Sequence, residues 1–486
     1  MTILRRSPQP SGNGQGPKNT PSSAPHFSYH APKREVAGPS NPMANARLFV
    51  RAEYYDGVDN LLLFHRGVFR LFDETSWPIL EHNDLNARVA RFFEYAVYVD
   101  ENNNGSVVVK PFRPNKASVT NIVAMIEAVT LQPSNRMMPS WPQPDHQLRA
   151  EDILPMANGL LYLPWRALMP STPVFFNSYA LPYSYVENSA PPLRWLQFLD
   201  ELFGDDEEAK GLLQKWMGYL LTPDTTQQKI LLVVGPMRSG KGTIARVIRA
   251  LLGDNNVAGP TLAGLCGDFG LQELVDKPAA IISDARLARG RDAQTAVERL
   301  LSISGEDALT INTKYEHLFT TKLPTRITIM SNEIPNLADT SGALASRLRV
   351  LRLRESFLGR EDHGLFQDLL AELPGILEWA LDGRDQLHQR GSFDQPGSSQ
   401  SVIDDLGALS SPVAAFIDEC CIVAPDQMVV IDVLFTAWSH WCEDNGHRPG
   451  SKTALGAALR AVIPHLDTSR GSGTPRMREY VGIGLA

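Results

Sequence analysis

One segment constrains this chain more than any other. The wholly apolar run Ile230-Leu231-Leu232-Val233-Val234 is followed by Gly235-Pro236-Met237-Arg238-Ser239-Gly240-Lys241-Gly242-Thr243. Next come Ile244, Val247, Ile248, Leu251 and Leu252 at helical spacing, and then Gly253 as a stop signal. An apolar run this short suits a central parallel strand buried on both faces. Strand, glycine-rich loop, lysine and helix are the parts of a nucleoside triphosphate site. Glycines let backbone N–H groups curl around phosphate oxygens, the helix N-terminus adds partial positive charge, and Lys241 reaches the β- and γ-phosphates. The usual pattern places Ser or Thr directly after the lysine to hold Mg²⁺. Here Gly242 takes that place, and Thr243 is the candidate hydroxyl.

Three further strands are expected downstream. Ala279-Ala280-Ile281-Ile282-Ser283-Asp284 ends in a carboxylate placed to bind Mg²⁺. The position after it, often a second acid that polarises water, is Ala285, so Glu298, Glu306 and Asp307 stand as alternative bases. Ile327-Thr328-Ile329-Met330 leads to Ser331-Asn332-Glu333, where Asn332 is either a γ-phosphate sensor or a turn residue. From Arg347 to Arg354 arginines alternate with apolar residues, as in a strand with one apolar face. That strand is either a solvated cationic edge or begins with an arginine finger, Arg347, that enters a neighbouring subunit's site.

These elements, in this order, resemble superfamily 3 helicases, and more closely the C-terminal part of the phage and plasmid primase-helicases, a group that includes poxvirus primase-helicases. The matching text is Gly235–Thr243, Ile281–Arg286, Ser304 through Lys314-Tyr315, Met330–Glu333 and Ser341 through Arg347. Residues 46–225 also look like the domain that precedes the helicase in that group. The resemblance implies an AAA+-like ATPase core in a ring, usually a hexamer, that uses ATP and Mg²⁺ to move along single-stranded DNA. It implies that Lys241, Asp284, Asn332 and Arg347 are catalytic, that Gly235 to Thr243 hold the nucleotide, and that Thr243 and Asp284 hold the metal. It places Lys314 on a β-hairpin that grips DNA in the central channel.

The expected fold class is α/β: an AAA+-like P-loop ATPase core with an α+β N-terminal domain and a C-terminal winged-helix domain. The expected segments are a disordered tail 1–45, an N-terminal domain 46–192, a helical connector 193–225, the ATPase core 226–356, a helical segment and linker 357–410, and a winged-helix-like domain 411–486. In the front part a hairpin is expected around His65-Arg66-Gly67, helices over 84–98 and 118–131, a hairpin turning at Asn158-Gly159, and helix over 193–221. Residues 391–411 read as a polar linker. Ser411-Pro412 starts a helix, and two more helices and a hairpin near residues 470–485 complete the winged helix. Lys452, Arg460, Arg470, Arg476 and Arg478 are its candidate phosphate contacts, the alternative being a surface that docks protein.

With 46 basic and 54 acidic residues the net charge is −8, which excludes a protein held to nucleic acid by bulk charge. Local patches remain available for that purpose. The four cysteines, Cys266, Cys420, Cys421 and Cys442, form no C-x-x-C pair and predict neither a zinc module nor a disulfide framework. No membrane span or signal-peptide core is evident, so a cytoplasmic location is expected, in a bacterial host by the resemblance. The part before the ATPase shows no cluster of paired acids for nucleotidyl transfer, which points to a helicase whose primase is a separate partner. The alternatives are an ATP-binding ring that loads onto DNA with weak hydrolysis, and a small-molecule kinase, because Gly240-Lys241-Gly242-Thr243 also suits a nucleotide-kinase loop.

Overall fold

The computed structural model describes residues 34–101, 106–143, 147–283, 291–312, 319–334, 343–410, 412–470 and 477–486 of the 486. Asp284, Lys314, Ser411, Arg476 and the hairpin tip 471–475 lie outside them. The chain divides into two compact units: Met1–Phe49 with Asn86–Met125, and Val50–Leu85 with Ile126–Ala486.

The first unit holds a three-stranded sheet. Glu35–Val36 pairs parallel with Val97–Glu101, which pairs antiparallel with Val107–Pro111. Phe93 stacks edge-on with Phe92 and lies 4.9 Å from Phe112, and Phe49 meets Phe92 at 5.0 Å. Two expectations are corrected here. The tail does not run to residue 45: the strand at Glu35–Val36 falls inside it, and a helix, Pro42–Glu53, begins inside it. Buried Asn45 holds this turn by bonding both the N–H and the C=O of Ala37, at 3.0 Å each. The helix expected over 84–98 spans His82–Phe93, and Val97–Glu101 is a strand. Its β-branched Val97 and Val99 pair across to Pro111 and Val109, and that pairing outweighs the helical spacing.

The second unit is built on a five-stranded, all-parallel sheet. Its elements are helices α1 (Leu193–Phe203) and α2 (Glu207–Leu220), strand β1 (Ile230–Val234), helix α3 (Lys241–Leu252), and strands β2 (Val257–Ala258) and β3 (Ala279–Ile282). Then come helix α4 (Arg291–Ser304), the antiparallel pair β4 (Leu309–Ile311) and β5 (Phe319–Thr321), strand β6 (Arg326–Ser331), helix α5 (Ala343–Arg347) and strand β7 (Leu348–Arg352). Helices α6 (Leu373–Arg390) and α7 (Gln400–Ser410) follow. The strand order is β2-β3-β6-β1-β7, so β6 is inserted between β3 and the strand that carries the glycine-rich loop. Side chains alternate between two cores. Leu231, Val233, Ile281 and Leu351 pack with α1, α2, α3 and α6, while Ile230, Leu232, Ile282 and Val350 pack with α4 and α7. Helices therefore cover both faces, as an all-parallel sheet requires.

Helices α2 and α6 meet backbone to backbone. A Cβ on Gly218 would lie 2.3 Å from the Ala380 oxygen, and one on Gly383 would lie 2.3 Å from the Gln214 oxygen. The stretch 193–221 is thus two helices. Gly204 (φ 59°) ends the first, and Asp206 caps the second by accepting from the Ala209 N–H.

Arg326 ties the start of β6 to the end of α2. Only 3% exposed, it donates to the Pro324 and Leu220 oxygens at 2.7 Å each and to the Thr222 oxygen. Arg326→Ala would leave these buried carbonyls unpaired. It is expected to destabilise the fold by about 3 kcal/mol or more, seen as a lower denaturant midpoint.

Three more expectations change. The tight turn expected at Asn158-Gly159 is Ala157-Asn158, because Met156 pairs with Gly159. Gly159 lies in the strand, where a Cβ would meet the Met169 oxygen of the next strand at 2.3 Å. Residues 391–411 are not simply a linker: they contain α7, whose Val402 and Leu406 are buried in the core. Before it, Gln395 mimics a sixth strand. Its Oε1 accepts from the Val350 N–H at 3.0 Å and its Nε2 donates to the Val350 oxygen at 2.9 Å, covering the exposed edge of β7. Finally, Arg347 ends helix α5, and the alternating strand starts at Leu348.

The C-terminal segment runs helix (Pro412–Cys420), strand (Met428–Val430), helix (Ile431–Asp444), helix (Lys452–Val462), then the paired strands Asp467–Arg470 and Arg478–Val481. The last of these also pairs with Met428–Val430. Trp438 and Trp441 stack at 5.5 Å within this core, and Cys442 is buried beside them. Among the described residues no helix is long and apolar enough to cross a membrane, and no group of three or more His, Cys, Asp or Glu could hold a metal ion.

Candidate nucleotide site

The loop 235–240 leaves the C-terminal end of β1 and enters α3 through Gly240, whose φ of 91° places it in the left-handed region. A side chain is disfavoured at both ends of the turn: a Cβ on Gly235 would lie 2.7 Å from Leu353 Cβ, and one on Gly240 would lie 2.7 Å from Leu202 Cδ2.

The carbonyls of Gly235 through Arg238 are all taken. Lys241 Nζ donates to the Gly235 oxygen at 2.6 Å, the Pro236 oxygen at 2.7 Å and Ser239 Oγ at 3.1 Å. Ser356 Oγ donates to the Met237 oxygen at 2.8 Å, and the Phe357 N–H to the Arg238 oxygen at 2.9 Å. Among the described residues, the N–H groups of Met237 through Gly242 donate to no other group of the chain. A run of free amides at a helix N-terminus, with its carbonyls tied outward, is a nest for an anion. The residues present therefore fit a phosphate group. Burial pulls the Lys241 pKa down, so a bound polyanion would restore what desolvation takes from its charge.

The clasp made by Ser356, Phe357 and Glu361, whose carboxylate lies 3.6 Å from Arg238 Nε, was not foreseen from sequence. It follows β7 and carries no motif, so no local signal could have revealed it.

Thr243 is less favourably placed. It lies one residue, about 100°, around the helix from Gly242. Its N–H is committed to the Gly240 oxygen at 3.0 Å, and its hydroxyl accepts from Arg246 Nη2 at 3.4 Å. The space that a Gly242 side chain would take is open.

Asn332 stands level with the loop. Val234 pairs with Ser331, and the Gly235 N–H donates to the Ser331 oxygen at 3.2 Å, so the next residue, exposed Asn332, emerges beside Gly235. Asp284 follows β3, the next strand out, beyond the described residues.

Arg347 lies at the other end of the sheet. Leu348 pairs in parallel with Ile230, the first residue of β1, whereas the loop follows the last. Its guanidinium donates to the Leu301 oxygen and, at 2.9 Å, to Ser304 Oγ, capping the C-terminus of α4. Gly305 makes room for it: a Cβ there would lie 2.8 Å from Arg347 Nη1. Glu306 also sits at this far end, where Thr225 Oγ1, ahead of β1, donates to its carboxylate. Asp307 is adjacent, and Glu298 lies within α4, where it accepts from Gln294.

In the C-terminal segment Lys452 is exposed and pairs with Asp432 at 2.5 Å. Arg478 is exposed and directly opposite exposed Arg470 in the paired strands. Like charges face to face destabilise a sheet unless an anion lies across them.

Two family models match parts of the chain. One, described as a family of unknown function (DUF5906), covers residues 233–347; the other, Poxvirus D5 protein-like, covers residues 410–470. The uncharacterized mitochondrial protein ymf20 of Marchantia polymorpha is 42% identical over 66 residues, 12% of this chain and 40% of that protein, so the chain spans about two fifths of that relative's length. Among solved structures, an A-form apo structure of the NrS-1 C-terminal region is 13% identical at a TM-score of 0.43, covering 80% of this chain and 94% of the other. A second A-form apo structure of that region is 11% identical at 0.49, covering 92% and 100%. By segment, then, the chain is similar to the DUF5906 family from the glycine-rich loop to Arg347, and to the Poxvirus D5 protein-like family from residue 410 to 470.

Proposed function

We propose that this chain is an ATP-dependent DNA helicase of the superfamily 3 type, acting as a ring in replication of a phage, prophage or plasmid. The observation that carries the reading is the amide nest 237–242 at the tip of β1, with β6 inserted between β1 and β3. That insertion, which belongs to an AAA+-like P-loop core, sets Asn332 directly beside the loop. The C-terminal order helix-strand-helix-helix-hairpin is that of a winged helix, in the segment similar to the Poxvirus D5 protein-like family.

When bound, ATP with Mg²⁺ supplies the free energy of γ-phosphoryl cleavage. The chain's own residues do the rest. The loop amides and Lys241 bind and orient the triphosphate. Asn332 would position water, and Asp284 would hold the metal, with Thr243 as the less favourably placed hydroxyl ligand. Arg347 cannot reach the loop of its own subunit, because the sheet separates them by a five-residue strand, roughly 16 Å. A part for Arg347 in the reaction is therefore a part at the site of a neighbouring copy. Lys314, which lies between β4 and β5 in the sequence, would grip the DNA backbone in the channel, and Lys452, Arg470, Arg476 and Arg478 would be a second, phosphate-contacting set. A separate primase is the natural partner.

A second reading, an ATP-binding loader ring with weak hydrolysis, gains from one observation. Glu306 and Asp307, two of the acids that could replace the missing base at Ala285, lie at the wrong end of the sheet. The small-molecule kinase reading loses ground because nothing in it requires Asn332 beside the loop or Arg347 at the opposite end. Strand displacement on a forked duplex tests the proposal. The expected result is ATP-dependent release of the labelled strand by the full chain, and ATP hydrolysis without release would favour the loader.

A further inference from the structure

A cavity of about 460 Å³ opens at the end of the sheet opposite the glycine-rich loop, within the roughly 300–1,000 Å³ range of small-molecule sites. It is walled by the Arg66-Gly67 hairpin turn, by residues 79–82, by the segments leading into β1, β3 and β6, and by β5. Its lining includes Phe319 of β5 and His82, whose ring lies 5.8 Å from that of Phe69.

Its polar groups converge. Arg70, whose side chain is only 4% exposed, pairs with Asp276 and donates to the Trp77 oxygen at 3.0 Å, but its Nε–H has no partner. Arg66 donates to the Ser134 oxygen at 2.9 Å and to Thr321 Oγ1 at 3.0 Å, both neutral acceptors. Burial pulls the Arg66 pKa down. Lys322 is exposed on the rim and has no ion-pair partner among the described residues. Of the carboxylates not paired with Arg70, Glu306 accepts from Thr225 and Glu81 is exposed. The cavity thus offers Lys322, a cation with no ion pair among the described residues, Arg66, whose hydrogen bonds go to neutral acceptors while it shares the field of Asp276 with Arg70, and an aromatic side chain, Phe319.

We propose that this cavity binds a single nucleotide, its base against Phe319 and His82 and its phosphate between Arg66 and Lys322. Base-on-aromatic stacking with cationic phosphate contacts is how nucleotides are held without reading sequence. Two sources share this chemistry. One is an unstacked nucleotide of a strand held at the β4–β5 hairpin, since β5 is that hairpin's return strand and lines the cavity. The other is a free nucleotide. Arg66 is joined to that return strand by its hydrogen bond to Thr321.

The test is photo-crosslinking of the full chain carrying Lys241→Ala, which silences the loop and so separates this site from the proposed ATPase. One arm uses azido-AMP; the other uses a thymidine oligonucleotide containing one iododeoxyuridine. Labelling at Phe319 or His82 is expected. It should weaken about tenfold, the worth of one charge-assisted contact, with Arg66→Gln and with Lys322→Glu, whose exposed position leaves the fold intact. Labelling by the oligonucleotide alone assigns a strand nucleotide, labelling by azido-AMP alone assigns a free one, and labelling by both assigns the shared chemistry. No label at either residue with either probe, or labelling unchanged in both variants, overturns the proposal.

Discussion

Lys241→Ala is expected to weaken ATP binding by about 10²–10³-fold, the loss of two charge-assisted hydrogen bonds to phosphate. In the structure the ammonium makes three hydrogen bonds inside the loop, to the oxygens of Gly235 and Pro236 and to Ser239. It is already held where the amides of residues 237–242 converge. Those amides carry only partial charges and cannot by themselves balance a triphosphate. The fold should survive, because Lys241 is half-buried and the Gly235 backbone is also fixed to Ser331. The check is the affinity of a fluorescent ATP analogue beside a thermal melt. Unchanged affinity in a folded variant would remove the loop from consideration.

Arg347→Ala should produce the second large effect. An arginine finger is worth ~10³–10⁵ in rate in small GTPases, and a smaller but plain loss of hydrolysis is expected here. The structure adds a complication that the experiment can resolve. Arg347 caps the C-terminus of α4 through Leu301 and Ser304, so alanine also costs stability, about 1 kcal/mol for a cation at a helix C-terminus. Arg347→Lys keeps the charge at that helix end but loses the planar fork. If the residue acts as a finger, both variants lose hydrolysis while the lysine variant melts near wild type. If it is only a helix cap, the lysine variant hydrolyses normally. Mixing Arg347→Ala with Lys241→Ala subunits should restore some activity, because interfaces with an intact loop and an intact arginine then form. A mixture that stays inactive would count against action between subunits.

How much of this was readable beforehand follows from how local each signal is. The strand 230–234, the helix from Lys241 and its stop at Gly253 came out as expected, because apolar burial and glycine geometry act over a few residues. The Arg66-Gly67 turn was equally legible, with both residues at positive φ. What failed depended on distant partners. Residues 400–410 look polar, yet Val402 and Leu406 suffice to dock a helix once the Val350 face is there to receive them. Val97–Glu101 could have continued a helix had Val107–Pro111 not paired with it. Gly159 looked like half of an Asn-Gly turn, and only the nearby Met169 carbonyl explains why it belongs to the strand. The site divides along the same line. The places of Lys241, the loop amides and Asn332 in the fold follow from local spacing and strand pattern. The clasp at Ser356 and Phe357, and the distance of Glu306 from the loop, depend on strand order, which no local pattern encodes.

The most direct measurement is ATP turnover by the full chain with and without single-stranded DNA, across a range of protein concentrations. A ring whose sites are completed by a neighbour's Arg347, and whose hairpin holds the strand, should turn over faster when single-stranded DNA is added. Activity per chain should rise steeply with protein concentration before levelling off. Turnover that ignores both DNA and concentration, or no turnover under any of these conditions, would contradict a ring-shaped, DNA-driven ATPase.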